Sequence, residues 1–343
     1  MGNSWTQASD TQKVLLVAFV LFALLTPWLA ACFGAVTLSP GQIWDALMGD
    51  GQGLTSRIVM ELRMPRILLA LIAGAGLALA GAVLQLATRN PLADPYLFGI
   101  SSGASFGAIC VMTLTGIGFG GPWLAHLSLP LGALAGAGLS VMLVLALSGG
   151  GVSHQIERIL LSGVATSFMF AAFGSLLLYF SEPQAAAAVL FWTLGSFSRA
   201  SWAGLWLPAL VVLLGLLMLL GLRRSLLALQ GGDETAHTLG IPVPRLRLAI
   251  LLLCSVMTAI LVASCGGIGF VGLMVPHIVR MLLPSGQSLL LTALAGGVFM
   301  VWVDVLARTL LNNQELPVGV ITSAVGSLFF LTVLRRRRRM IHE

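Results

Sequence analysis

No Asp, Glu, Lys or Arg occurs in residues 67–88, and none occurs from residue 95 to residue 156. A helix needs roughly 20 apolar residues to cross a bilayer, so the first run is long enough for one crossing and the second for more than one. Only 9% of the 343 residues are charged and 58% are hydrophobic, against roughly 25% charged in soluble domains. The mean hydropathy is +1.00. An ordinary water-soluble protein is excluded. Backbone polar groups inside lipid must be satisfied within the segment, and runs of this length do so as helices. The chain therefore reads as an all-α integral membrane protein.

Uncharged runs bounded by charges and turn formers predict about ten spans, near residues 14–33, 66–87, 98–118, 128–148, 159–180, 204–222, 247–264, 270–282, 288–310 and 317–334. The eighth is too short for a straight crossing. The stretch 185–194 reads as a half-buried helix on the outer face. The chain is expected to be one transmembrane domain over 1–343, with a loop at about 229–246 and a basic tail at 335–343.

Charge gives an orientation. With the amino terminus inside, Lys13, Arg89, Arg158, Arg223, Arg224, Arg245, Arg247, Arg280 and the five tail arginines, thirteen of the 18 basic residues, face the cytoplasm. Arg57, Arg63, Arg66, Arg199 and Arg308 lie outside, and both termini are cytoplasmic. The net charge of +6 comes mostly from Arg335 to Arg339, an anchor after a hydrophobic span rather than a nucleic-acid site.

Leu29-Ala30-Ala31-Cys32 has the form of a lipoprotein cleavage box, but a first helix ending in small residues has the same form, and the uncleaved reading is preferred. Cys32, Cys110, Cys254 and Cys265 show no metal or CxxC spacing and read as small buried residues. Glycines recur at packing distance in Gly99, Gly103 and Gly107, in Gly132 and Gly136, and in Gly74, Gly76 and Gly81, as in closely packed membrane helices.

No catalytic constellation is recognisable. A phosphate-binding loop needs Gly-Lys-Ser/Thr, and the one lysine is Lys13, followed by valine. Ionisable residues inside spans are few, which argues against an ion-driven carrier. Asp304 and Arg308 stand four apart and predict a local ion pair. His277, after Pro276, reads as satisfied by the backbone. Between Arg223 and Arg247, Asp233 and Glu234 open a short helix, Gly240 ends it, and Pro242 and Pro244 prevent its continuation. That helix is a connector or a knob for a soluble partner.

Three stretches, RMPRILLALIAGAGLALAGAVLQLATRNPLADPYLFGISSGA (63–104), GGIGFVGLMVPHIVR (266–280) and ELPVGVITSAVG (315–326), resemble the permease subunits of type II ABC importers for ferric siderophores, haem and vitamin B12. GGDETAHTLG and WTLGSFSRASW match the same family in the expected order. The motif residues include Arg89, Asn90, Pro91, Pro276, His277, Glu315, Leu316 and Pro317.

The resemblance implies ten helices per subunit, a dimer (a homodimer or a heterodimer) with the passage at the subunit interface, two cytoplasmic ATPase subunits and a periplasmic substrate-binding protein, in a bacterial inner membrane. It implies a transport subunit, not an enzyme, with no cofactor of its own, since ATP and Mg belong to the ATPase. Gly232, Asp233, Glu234, Ala236, Leu239 and Gly240 then form the coupling loop that sits in an ATPase cleft. Arg63, Arg66 and Arg308 pair with acids on the binding protein, a task suited to a bidentate fork. The fifth span lines the passage, and the turn before Arg158 forms an inner gate. Here that turn reads SHQIE, which makes Gln155, Ile156 and Glu157 the gate positions, with Ile156 and Glu157 standing where the family has small hydroxyl residues. The cargo stays open among ferric siderophore, haem and cobalamin, with siderophore first; a secondary transporter or channel is the rival class.

Overall fold

The computed structural model describes residues 10–34, 36–49, 53–116, 122–148, 156–282, 288–311 and 314–339. Helices α1 (Asp10–Cys32), α2 (Pro40–Met48) and α3 (Leu54–Arg57) lead into a π-helical turn (Ile58–Arg63) and α4 (Met64–Thr88). A 3₁₀ turn (Pro95–Phe98) precedes α5 (Ile100–Gly116), α6 (Pro122–Leu147), α7 (Ile156–Tyr179) and α8 (Pro183–Thr193). Then come α9 (Trp202–Gly221), α10 (Arg223–Gln230), α11 (Asp233–Thr238), α12 (Val243–Cys265), α13 (Val271–Leu282), α14 (Leu289–Thr309) and α15 (Val318–Arg339). No strand occurs among the described residues.

Among the described residues seven helical segments are long and apolar enough to cross a membrane, and the shorter apolar segments Ile100–Thr113, Val271–Leu282 and Val318–Val333 accompany them. Each predicted span coincides with a helix, and the 12-residue α13 is the short one. The stretch 185–194 falls in α8, which buries Val189 and Trp192 and exposes Leu190 and Phe191.

The bundle is organised around α4. In its most apolar stretch 78% of the residues are buried, against 22% in that of the first segment and 28% in that of Trp202–Gly221. A helix apolar on every side belongs in a core, and α9, α12, α13 and α14 surround this one. Gly74 meets Gly296 of α14, and Gly81 meets Gly272 of α13, with backbones touching. In α5 and α6, Gly103 meets Gly136 and Gly107 meets Gly132, an antiparallel register in which the small residues expected from the sequence face each other. All four cysteines are free thiols.

Local sequence sets the ends. Ser39 and Gln42 form a capping box on α2, and Ser201 and Ser288 accept from the N–H groups of Gly204 and Leu291. Gly240, at φ 76°, follows α11, and Val243 starts α12 directly after Pro242.

Candidate functional site

At the start of α4 the Arg66 guanidinium grips the Asp304 carboxylate, Nε to Oδ1 at 2.9 Å and to Oδ2 at 3.1 Å, and Nη1 donates to Glu315 Oε1 at 2.9 Å. Arg308 Nε lies 3.2 Å from Asp304 Oδ2, so the expected four-residue ion pair is present. It is one part of a cluster in which a fully buried carboxylate serves two arginines. Arg308 also donates to the carbonyls of Phe33 (3.2 Å) and Ala30 (3.3 Å). Arg63 donates to Ala31 O at 2.5 Å and to Val36 O. These acceptors are the last carbonyls of α1 and its exit, groups that a helix leaves unsatisfied and that attract cations. The small Ala30 and Ala31 of the cleavage-box motif are fully buried beneath these arginines.

This differs from the outward presentation expected of the three arginines. Arg63 and Arg308 are 7% and 9% exposed, because helix-end carbonyls and Asp304 already occupy their forks. Only the Arg66–Glu315 pair reaches the surface, through a half-exposed Glu315. Arg57, paired with Glu61 at 3.4 Å, and Arg199 are the exposed cations near this end.

The motif stretches meet at a node made of backbone. Ser196 N–H donates to Cys265 O (2.9 Å), Val318 N–H to Gly195 O (3.0 Å) and Gly319 N–H to Leu194 O (3.0 Å). Ile268 N–H donates to Tyr96 Oη at 3.0 Å. A Cβ on Gly266 would stand 2.1 Å from Trp192 O, and φ is 75° there; both demand glycine. Leu316 N–H donates to Ala307 O (2.9 Å), joining the node to the Arg66 cluster. Pro276 is buried in α13, and the His277 ring stands edge-on to Phe329 at 5.7 Å.

At the far end of α4, Arg89 is the left-handed C-cap. Asn90 Oδ1 accepts from Leu92 N–H at 2.9 Å, turning the chain at exposed Pro91. Asp94 caps the 3₁₀ turn by accepting from Tyr96 N–H at 2.8 Å. Burial pushes its carboxyl from 3.8 up to about 6. The folded chain thus holds this proton more tightly than the unfolded one. The group's contribution to stability is full below about pH 4 and is lost as pH rises through about 6. Asp94→Asn keeps the acceptor and removes the titration. Between pH 4.5 and 7.5 the wild type should lose ~2 kcal/mol relative to the variant, read as a widening gap in thermal midpoint in detergent. Parallel pH curves would disprove it.

Facing Arg89 is α11. Asp233 is held by Arg247 and Arg89, and Ala236 is fully buried. Glu234, His237 and Leu239 are exposed, and Gly232 and Gly240 frame the helix at positive φ. The expected loop residues thus divide into two that fix the helix to the body and two, Glu234 and Leu239, that face outward. Gln155 lies outside the described residues, and Ile156 and Glu157 open α7. Among the described residues no group of His, Cys, Asp and Glu could hold a metal ion.

The model of the FecCD transport family matches residues 15–336. The chain belongs to the FecCD transport family. This FecCD chain is 37% identical to the hemin transport system permease HmuU of Yersinia pestis, over 95% of the chain and 97% of the relative. It is 38% identical to the Fe(3+) dicitrate transport system permease FecD of Escherichia coli (95% and 100%). It is 36% identical to the vitamin B12 import system permease BtuC of Pectobacterium atrosepticum (94% and 93%). A solved metal-chelate type ABC transporter in an inward-facing conformation superposes with a TM-score of 0.79 at 29% identity, covering 94% of this chain and 99% of that one. The FecCD chain is accordingly a multi-pass membrane protein of the ABC permease fold.

Two polar residues of the FecCD chain escaped the sequence reading. Arg247 counted there only as one of the inner charges, yet it is 5% exposed and fully engaged. Gln85 donates to Gly272 O (2.9 Å) and accepts from Arg280 (2.6 Å), tying α4 to α13. A glutamine inside an otherwise apolar span was the available signal.

Proposed function

We propose that the chain is the membrane-spanning subunit of an ATP-driven importer, taking an iron chelate, first of all a ferric siderophore, from a periplasmic substrate-binding protein and passing it inward by alternating access. The observation that carries this reading is the end-to-end match with permeases named for hemin, ferric dicitrate and vitamin B12. In this reading ten crossings pair with those of a second copy in the bacterial inner membrane, with both termini cytoplasmic. The cytoplasmic end is the one bearing α11, whose Glu234, His237 and Leu239 enter the cleft of an ATPase subunit, one per permease, and that subunit binds the ATP and Mg. The opposite end receives the binding protein at Arg66 and Glu315, with Arg63 and Arg308 supporting the surface from below. Leu161 and Phe168 are among the exposed apolar residues of α7 and face the lumen shared with the second copy, where a wide and weakly binding wall suits a large chelate.

Transport into proteoliposomes holding this chain and its ATPase tests the reading, with binding proteins loaded with ferric siderophore, haem or cobalamin. The expected result is uptake of ferric siderophore that requires both ATP and its binding protein. Uptake of haem or cobalamin alone would replace the cargo. Uptake driven by an ion gradient without ATP would replace the importer with a secondary transporter.

A further inference from the structure

Six residues make too short a helix to hold a position by itself, because nucleation uses most of what so few hydrogen bonds return. The N-cap of α11 is Gly232, which offers no side-chain bond. Beside the buried Ala236, what holds α11 is Asp233. Arg247 takes both of its oxygens, Nη2 to Oδ1 at 2.8 Å and Nη1 to Oδ2 at 2.9 Å, and Arg89 adds a further bond to Oδ1. The third nitrogen of Arg247, Nε, donates to Ala87 O at 2.9 Å. One buried guanidinium on the first turns of α12 therefore joins the last turn of α4 to the start of α11, in the fork-to-fork geometry that makes arginine–carboxylate pairs strong and directional.

We infer that Asp233, Arg247 and Arg89 form a clasp that carries displacement of α11 into α4 and α12, with Asp233 a positioning residue rather than part of the surface a partner touches. Glu234 and His237 of the same helix and Leu239 at its end point outward, so contact and transmission fall to different side chains. α4 is the member that transmits furthest. It runs through the core from Arg89 to Arg66, where the Asp304–Glu315 cluster begins. The inference rests on the importer reading, in which an ATPase moves α11.

The test uses the full-length chain with the ATPase that co-purifies with it, in lipid nanodiscs, and needs no cargo. Hydrogen–deuterium exchange at residues 80–88 and 243–250 is compared without nucleotide and after vanadate trapping of ADP. In the wild type, trapping should change exchange in both segments. In Asp233→Asn, ATPase binding and basal hydrolysis should stay within twofold while the change falls at least fivefold. Asp233→Glu should restore most of it. Arg89→Gln, which leaves the Arg247 fork in place, should lose about half, and it keeps the question open to test if Asp233→Asn does not fold. A wild-type exchange response in Asp233→Asn overturns the clasp. Loss of ATPase from Asp233→Asn with retention in Asp233→Glu also overturns it, since Asp233 would then be a contact residue. Failure of the unsubstituted chain to retain any ATPase is a failure of the importer reading instead, and it appears before any variant is made.

Discussion

Asp304→Asn should cost the protein about 3–5 kcal/mol, the range for removing one partner from a buried ion pair. The shape of the side chain is unchanged, so the loss is electrostatic. Asp304 is fully buried, Arg308 is 9% exposed and the Arg66 side chain 11%, and the carboxylate is the one negative charge both arginines share away from water. Without it two guanidiniums face each other in a low-dielectric site with only helix-end carbonyls and Glu315 to oppose them. Glu315→Gln is the contrast. Its side chain is 48% exposed, so solvent screens the pair and the expected loss is below about 1 kcal/mol. Denaturation midpoints of both variants in detergent check the ordering. Losses of equal size would mean that burial does not govern this cluster.

Gly74→Ala should be comparably damaging for a steric reason. A Cβ there would sit 2.1 Å from Gly296 O, and one on Gly296 would sit 2.3 Å from Gly74 O. Both obstacles are backbone, so no rotamer relieves them and α4 must separate from α14. Overpacking a well-filled core costs ~1–3 kcal/mol, and separation adds the lost packing along two helices that meet over most of their length. Gly138→Ala is the control, because nothing lies within 4 Å of its Cβ position; it should be neutral or gain up to ~1 kcal/mol from helix propensity. The yield of monodisperse protein and its thermal midpoint report both. A stable Gly74→Ala beside a damaged Gly138→Ala would contradict the packing described.

Helix positions were legible because a bilayer reduces the problem to the length of apolar runs. The expected span 66–87 is α4 within two residues at its start and one at its end. The acidic start of α11 and the glycine that ends it were readable from local chemistry. So was the Asp304–Arg308 pair, since four residues is one helical turn. Arg66 and Asp304, by contrast, are 238 positions apart, and Arg89 and Asp233 are 144 apart; no local pattern announces partners that only the packing order of helices brings together. The same limit turned Arg63 and Arg308 from expected surface cations into caps on the end of α1. The π-helical turn that ends at Arg63 and the separate α10 carried no periodic signal strong enough to divide them from their neighbours.

The enclosure of α4 also bears on how the protein is made. A ribosome releases this helix long before α9, α12, α13 and α14, which later surround it. In the interval its Gly74 and Gly81 surfaces face lipid or a temporary attendant. A segment this apolar can wait in the bilayer without harm, and its glycines then become the seats for helices that arrive last. Maturation of this membrane protein is thus the late closing of a ring around an early-inserted axle, and nascent chains that stop short of α14 leave that axle open on one side.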